Sequence, residues 1–115
     1  INIASVSAHL GLPNAMVYCG IKAAVEGMTR SSAIELASAG IRVNAVAPST
    51  VATEGVRAML DDATFEARVA STPLGRLGET ADIAEAVLFF ADSTRSGFVT
   101  GQSLLVDGGI SIALR

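Results

Sequence analysis

Ile41-Arg42-Val43-Asn44-Ala45-Val46-Ala47-Pro48 is the stretch that decides the fold. Residues 41–47 form an apolar, partly β-branched run of strand length, and Pro48 closes it. Upstream, residues 15–39 are good helix formers or small, and Gly40 supplies a C-terminal stop. Before that helix, residues 6–14 carry Gly11, Pro13 and Asn14 and read as a loop. Ile1-Asn2-Ile3-Ala4-Ser5 reads as the end of a strand. Downstream, residues 49–72 read as loop plus one or two short helices, with Asp61, Asp62 and Thr64 as caps. A Gly-rich turn segment follows over residues 73–79. Residues 80–92 predict a helix with Ile83, Ala84, Val87, Leu88 and Ala91 at helical spacing. After a loop over residues 93–100 comes a short strand at 104–106, closed by Asp107-Gly108-Gly109.

Strand, helix, strand, helix, strand is the order of an α/β fold with a parallel sheet and right-handed crossovers. About three strands with flanking helices make a small sheet. Its first strand presents an open edge, where an α/β sheet normally continues. The expectation is therefore the C-terminal half of a larger fold, with residues 1–115 forming part of a single domain. No internal repeat or low-complexity segment interrupts the order.

Composition fits that reading. Of 115 residues, 50% are hydrophobic but only 4% aromatic, so the apolar content is mostly Ala, Val, Leu and Ile. Such residues suit buried parallel strands and closely packed helices. The length suits one core rather than two. A net charge of −3 and scattered Lys and Arg leave no basic footprint for nucleic acid. No apolar run approaches the roughly 18 residues that span a membrane. One cysteine, Cys19, makes no internal disulfide, which suits a reducing compartment, the cytoplasm by default. No His, Cys and carboxylate cluster has metal-ligand spacing.

Chemistry concentrates near the start. Tyr18 and Lys22 stand at i and i+4 on the long helix and so project from one face. A free phenol, with a pKa of about 10, is a poor proton shuttle at neutral pH, and a nearby ammonium favours the phenolate. Ser5, at a strand end, can donate a hydrogen bond to a carbonyl oxygen and hold it near that phenol. The set can pass a proton to or from an alcohol or carbonyl oxygen. Tyr-x-x-x-Lys alone also describes any tyrosine packed on a helix beside a solvated lysine.

The surrounding blocks resemble the short-chain dehydrogenase/reductase family over nearly the whole chain. Ile3-Ala4-Ser5 is similar to its strand-end segment, and Tyr18-Cys19-Gly20-Ile21-Lys22 to its Tyr-x-x-x-Lys. Residues 41–48 resemble the strand leading to its nicotinamide loop. Gly75-Arg76-Leu77-Gly78, Asp82-Ile83-Ala84, and Thr100-Gly101-Gln102 through Asp107-Gly108-Gly109 resemble its C-terminal signatures. The resemblance implies the C-terminal part of a Rossmann-like doubly wound parallel sheet. It implies an oxidoreductase passing hydride between NAD or NADP and an alcohol or ketone. Tyr18 is then the general acid/base, Lys22 its tuner and a ligand of the nicotinamide ribose, and Ser5 the substrate-positioning hydroxyl. Pro48, Val51 and Thr53 fall at positions that contact the nicotinamide. The simple branch that includes 3-oxoacyl reductases is the nearest in look, and it implies a homo-oligomer, a dimer or tetramer.

Two departures matter. Ser49 stands where the family usually has glycine after the proline, and serine disfavours positive φ. No G-x-G-x-x-G or related cluster follows a strand, so the turn that cradles a pyrophosphate has no counterpart in these residues. The family's upstream catalytic asparagine has none either, and Asn14 and Asn44 read as structural. The expectation places the dinucleotide-binding half outside residues 1–115. A non-catalytic assembly module is the alternative reading. An epimerase or dehydratase of the same fold shares Tyr-x-x-x-Lys, but the Thr100-Gly101 to Gly109 ending argues against it.

Further residues carry open alternatives. His9, in the loop between Ser5 and Tyr18, is either simply exposed or a substrate contact. Gly20, Ala23, Ala24, Gly27 and Ser31 form a small-residue stripe that packs on the chain's own sheet or on a second copy. Met59, Leu60 and Phe65 lie where the family has a variable flap over the substrate, or are core contacts.

Overall fold

Ala45, Val46 and Ala47 are completely buried, and they are the middle of the molecule. The computed structural model describes residues 1–113. Strand β2 (Ala45–Pro48) lies between β1 (Asn2–Ile3) and β3 (Ser103–Val106) in a parallel sheet of order β1-β2-β3. Asn2 sits beside Ala45 on one flank, and Ala45 through Pro48 run beside Ser103 through Val106 on the other. Five helices connect and cover the strands: α1 (Met16–Leu36), α2 (Glu54–Met59), α3 (Asp62–Ser71), α4 (Thr80–Ala91) and α5 (Ser93–Ser96).

The two-residue period of β2 divides the core. Ala4, Ala45 and Ala47 form a floor of small side chains on which Val25 of α1 and Leu105 pack. Val46 faces the other way and meets Ala86 and Phe90 of α4, with Ile83, Val87, Val99 and Val106 around them. Helix α1 thus covers one face and α4 the other. The strands follow chain order side by side, so the two connections are of opposite hand. One departs from the right-handed crossovers that the alternation predicts. The link from β2 to β3 travels through α2 and α3 before α4 begins, and a connection that long escapes the short-crossover constraint.

Helix α1 ends in a 3-10 turn, Ala37–Ala39, and Gly40 takes the left-handed conformation at φ 73° that the stop requires. The sheet-facing side of α1 is Val25, Glu26, Thr29 and Ala33. Gly20, Ala23, Ala24 and Ser31 point to solvent instead, so that stripe does not pack on this chain's own sheet.

Three expectations need correction. Residues 41–44 are not strand. Arg42 and Asn44 spend their side chains on the loop before β3: Arg42 donates to the carbonyls of Phe90 (2.9 Å) and Ser96 (3.0 Å). Asn44 donates to Val99 O (2.9 Å) and accepts from Gln102 N–H (3.0 Å). On α4, Ala86 and Phe90 take the core positions, and Leu88 is exposed. Residues 93–96 form the short helix α5, capped by Asp92, which accepts from Thr94 N–H.

The predicted cap Asp61 accepts from Thr64 N–H at 2.7 Å and starts α3. At α4, Asp82 accepts from the N–H of Glu79 and forms a two-pronged pair with Arg76 at 2.7 and 2.9 Å. The Arg76 guanidinium, with Glu79 N–H, holds the Asp82 carboxyl down to about 2. Asp61 is also held below its ordinary value by Thr64. A depressed carboxylate contributes stability that is present above its unfolded pKa, about 3.9, and lost as pH falls through the folded value. The thermal midpoint is therefore expected to drop as pH falls from about 4 toward 2. In Asp82→Asn that slope should be shallower by calorimetry across the same interval.

Candidate active site

Parallel strands deliver their C-terminal ends to one side of a sheet, and the loops that leave those ends build the site. The loop after β1 carries Ser5, and the first turn of α1 carries Tyr18. The loop after β2 carries Ser49, Thr50, Val51 and Thr53. All of these line one cavity of about 540 Å³. Its walls are otherwise mostly apolar, including Val56, Met59 and Leu60 from α2 and its end, and Ile110 after β3.

Ser5, Lys22 and Thr53 are each held by a local bond that leaves a proton to give. Ser5 is buried, and its Oγ accepts from Ser7 N–H at 3.2 Å, capping the 3-10 turn Val6–Ala8. Its hydroxyl hydrogen remains to donate. Tyr18 is half exposed. The Lys22 ammonium lies 5.8 Å from the Tyr18 ring centroid and donates to Ile3 O at 3.0 Å. That bond ties the Tyr18–Lys22 face of α1 to β1 and uses one of three ammonium hydrogens. Thr53 caps α2 by accepting from Val56 N–H at 3.2 Å, so its hydroxyl also keeps a proton.

The loop after β2 is braced by the Gly-rich turn. Val51 bridges to Gly78, Ala52 N–H donates to Gly78 O (2.8 Å), and Gly78 N–H donates to Thr50 O (3.1 Å). Among the described residues the one non-glycine at positive φ is Asn14. Ser49 therefore sits in ordinary backbone, and replacing glycine there strains nothing. Pro48 closes β2 and lines a neighbouring apolar groove with Val51 and Thr53 rather than the Ser5 cavity.

His9 turns away from this cavity. Its Nε2 lies 2.8 Å from Glu26 Oε1, and Ser103 Oγ donates to the same oxygen at 2.7 Å. Glu26 is buried on the sheet-facing side of α1. The predicted substrate contact at His9 has no geometric support. Its ring joins the Ser5 loop to α1 and β3. Glu26 was missed, although it continues the i, i+4 spacing of Tyr18 and Lys22. Phe65 also stays out of the cavity, lying 3.9 Å under the Arg57 guanidinium.

The fold is an open parallel α/β sheet, with Ser5, Tyr18 and the loop after β2 gathered at the strand ends. A family profile described as enoyl-(acyl carrier protein) reductase matches residues 1–111, and the chain belongs to the short-chain dehydrogenase/reductase family, in its 3-oxoacyl-reductase-like branch. Carbonyl reductase family member 4 of Danio rerio is 44% identical over 114 residues, 99% of this chain and 45% of its own length. The 3-oxoacyl-(acyl-carrier-protein) reductase of Haemophilus influenzae is 43% identical over 113 residues, 98% of this chain and 46% of its own. Among solved structures, a Haemophilus influenza protein with bound NAD superposes with a TM-score of 0.90 at 35% identity, covering 98% of this chain and 42% of that one. ElxO with NADP bound gives 0.86 at 35%, covering 95% and 44%. The chain spans about half the length of the curated relatives it matches.

The residues present fit the nicotinamide end of such a cofactor. Lys22 and Thr53 keep donors; Thr53 lines the cavity of about 540 Å³ with Ser5 and Tyr18, while Lys22 stands one turn along α1 from Tyr18 and is not among the lining residues. For the pyrophosphate, residues 1–115 contain no G-x-G-x-x-G or related cluster after a strand.

Proposed function

We propose that these residues are the catalytic half of an NAD- or NADP-dependent reductase or dehydrogenase acting on an alcohol or ketone. The observation that carries the reading is the convergence of Ser5, Tyr18 and the 49–53 loop on one cavity. The Ser5 hydroxyl donates to the substrate oxygen and sets its position. The Tyr18 phenol gives that oxygen its proton as the carbon is reduced, and takes it back in the reverse reaction. The Lys22 ammonium stabilises the phenolate and, with a remaining hydrogen, holds the ribose. Thr53 donates to the carboxamide. A bound NAD(P)H supplies the hydride.

The test is turnover of simple ketones with NADH or NADPH by the full-length protein, followed as loss of cofactor absorbance. No turnover with any ketone, alongside normal folding, would favour a non-catalytic assembly module. The 115 residues by themselves are expected to bind NADH and NADPH more weakly than micromolar, since no turn cradles the pyrophosphate. Micromolar binding in a fluorescence titration would contradict that.

The outer face of α1 supports a homo-oligomer. Val17, Ile21 and Met28 are 68, 58 and 57% exposed at helical spacing, beside the small residues Gly20 and Ala24. Such an apolar stripe favours a second copy over water. Sedimentation of the full-length protein should give a dimer or tetramer, and a concentration-independent monomer would refute it.

A further inference from the structure

We propose that Arg68 sets the substrate class: an alcohol or ketone whose apolar chain ends in an oxyanion, a carboxylate or a phosphate. This rests on reading Ser5 and Tyr18 as the proton-transfer end of the cavity.

Arg68, on α3, is the one charged side chain among the described residues that line the cavity. The ion pairs among the described residues are His9 with Glu26, Arg76 with Asp82, and Arg95 with Asp92, and none of them uses Arg68. Arg68 is exposed, so its guanidinium is solvated, and an incoming anion need not break an ion pair to reach it. The guanidinium's planar fork suits the two oxygens of a carboxylate or phosphate.

Its direction is fixed. Arg68 Nη1 donates to Thr50 Oγ1 at 2.8 Å, which ties α3 to the loop after β2. That bond occupies one nitrogen and leaves the other guanidinium hydrogens to a ligand. Thr50 Oγ1 accepts from Arg68, so its own hydrogen can point to the same anion. The pair makes a two-group oxyanion grip. The same cavity is lined by Val56, Met59, Leu60 and Ile110, which bind hydrocarbon and reject charge. The lining thus suits a molecule that combines a carbonyl, an alkyl body and an anion.

The experiment uses the full-length protein and methyl ketones of graded chain length, each ending in carboxylate, phosphate or an uncharged amide. Two readouts are taken: kcat/KM with reduced cofactor, and Kd by calorimetry without it. At the best length an anionic ketone should be preferred over its amide by on the order of 10–100-fold in both, the range for hydrogen bonds to a charged group. Arg68→Gln should erase the preference while the amide changes by about two-fold or less, and Arg68→Lys should restore part of it. The ranking of carboxylate against phosphate identifies which anion the grip serves. Equal affinity for anion and amide overturns the proposal. So does an Arg68→Gln variant that weakens both ketones alike, the result expected of a mere tether between α3 and Thr50. Loss of all turnover with the binding preference intact would sink the reductase reading and leave this one standing.

Discussion

Tyr18→Phe in the full-length protein is expected to lower kcat for ketone reduction by about 100- to 10,000-fold, with KM roughly unchanged. The ring stays and only the hydroxyl leaves, so cavity shape and α1 packing are preserved. The half-exposed ring makes little of the core, and the variant should melt with the wild type. What disappears is the group proposed to give the substrate oxygen its proton. Ser5→Ala should cost less, because it removes one donor and leaves the proton source. It also frees Ser7 N–H from its 3.2 Å bond to Ser5 Oγ, so some of its loss is structural. Lys22→Met should lower kcat and also raise the KM for the cofactor, since the ammonium is proposed to serve both the phenolate and the ribose. The ketone used must be one that the wild type turns over. A Tyr18→Phe variant within about three-fold of wild type would remove Tyr18 from the mechanism, as general acid/base catalysis cannot be lost so cheaply.

The frame was legible because it rests on signals that tertiary contacts seldom overrule. Gly40 stops α1 by backbone conformation, and Asp61 starts α3 by a bond to Thr64 that any solvent-facing helix end can use. Residues 45–48 are buried on both faces, as a central parallel strand must be, so apolar content alone revealed them. Ser5, Tyr18 and Thr53 were legible as a set because strand ends and helix starts in this fold share one side of the sheet.

The missed features all depend on partners far along the chain. Nothing in the text around Glu26 announces that His9 and Ser103 will meet on one of its oxygens. Arg68 looks like an ordinary surface residue of an amphipathic helix until the 49–53 loop folds against it. Of the α4 stripe Ile83, Ala84, Val87, Leu88 and Ala91, Ile83 and Val87 do pack on the core, but its buried centre is Ala86 and Phe90. Ala84 and Leu88 line the neighbouring groove, whose edge Ile83 and Val87 also reach. Periodicity finds apolar faces, and packing chooses between them.

Arg42→Met is expected to destabilise the protein by about 3 kcal/mol, the largest stability effect outside the hydrophobic core. Residue 42 sits in what reads as a strand, where an arginine normally reaches into water. Here its two terminal nitrogens reach Phe90 O at 2.9 Å, Ser96 O and Ser96 Oγ at 3.0 Å, and Val99 O at 3.4 Å. Each of these carbonyls also has a second donor: Ser96 Oγ on Phe90 O (3.2 Å), Val99 N–H on Ser96 O (2.9 Å) and Asn44 Nδ2 on Val99 O (2.9 Å). Ser96 and Phe90 are themselves buried. Methionine fills much of the same volume but brings no donor, so the charge-assisted bonds of the clamp are lost while each carbonyl keeps its second partner. Arg42→Lys should recover only part, because one ammonium cannot span carbonyls on two sides of the turn. Urea unfolding of the full-length protein reads the effect as a lower midpoint with an unchanged slope. A shift below about 0.5 kcal/mol, the scale of an ordinary surface substitution, would show that water satisfies these carbonyls and that the clamp is incidental. A full shift would show that Arg42 and Asn44 close the end of the second crossover. It would also explain why residues 41–44 forgo strand pairing: their side chains and backbone are committed to the loop that brings β3 beside β2.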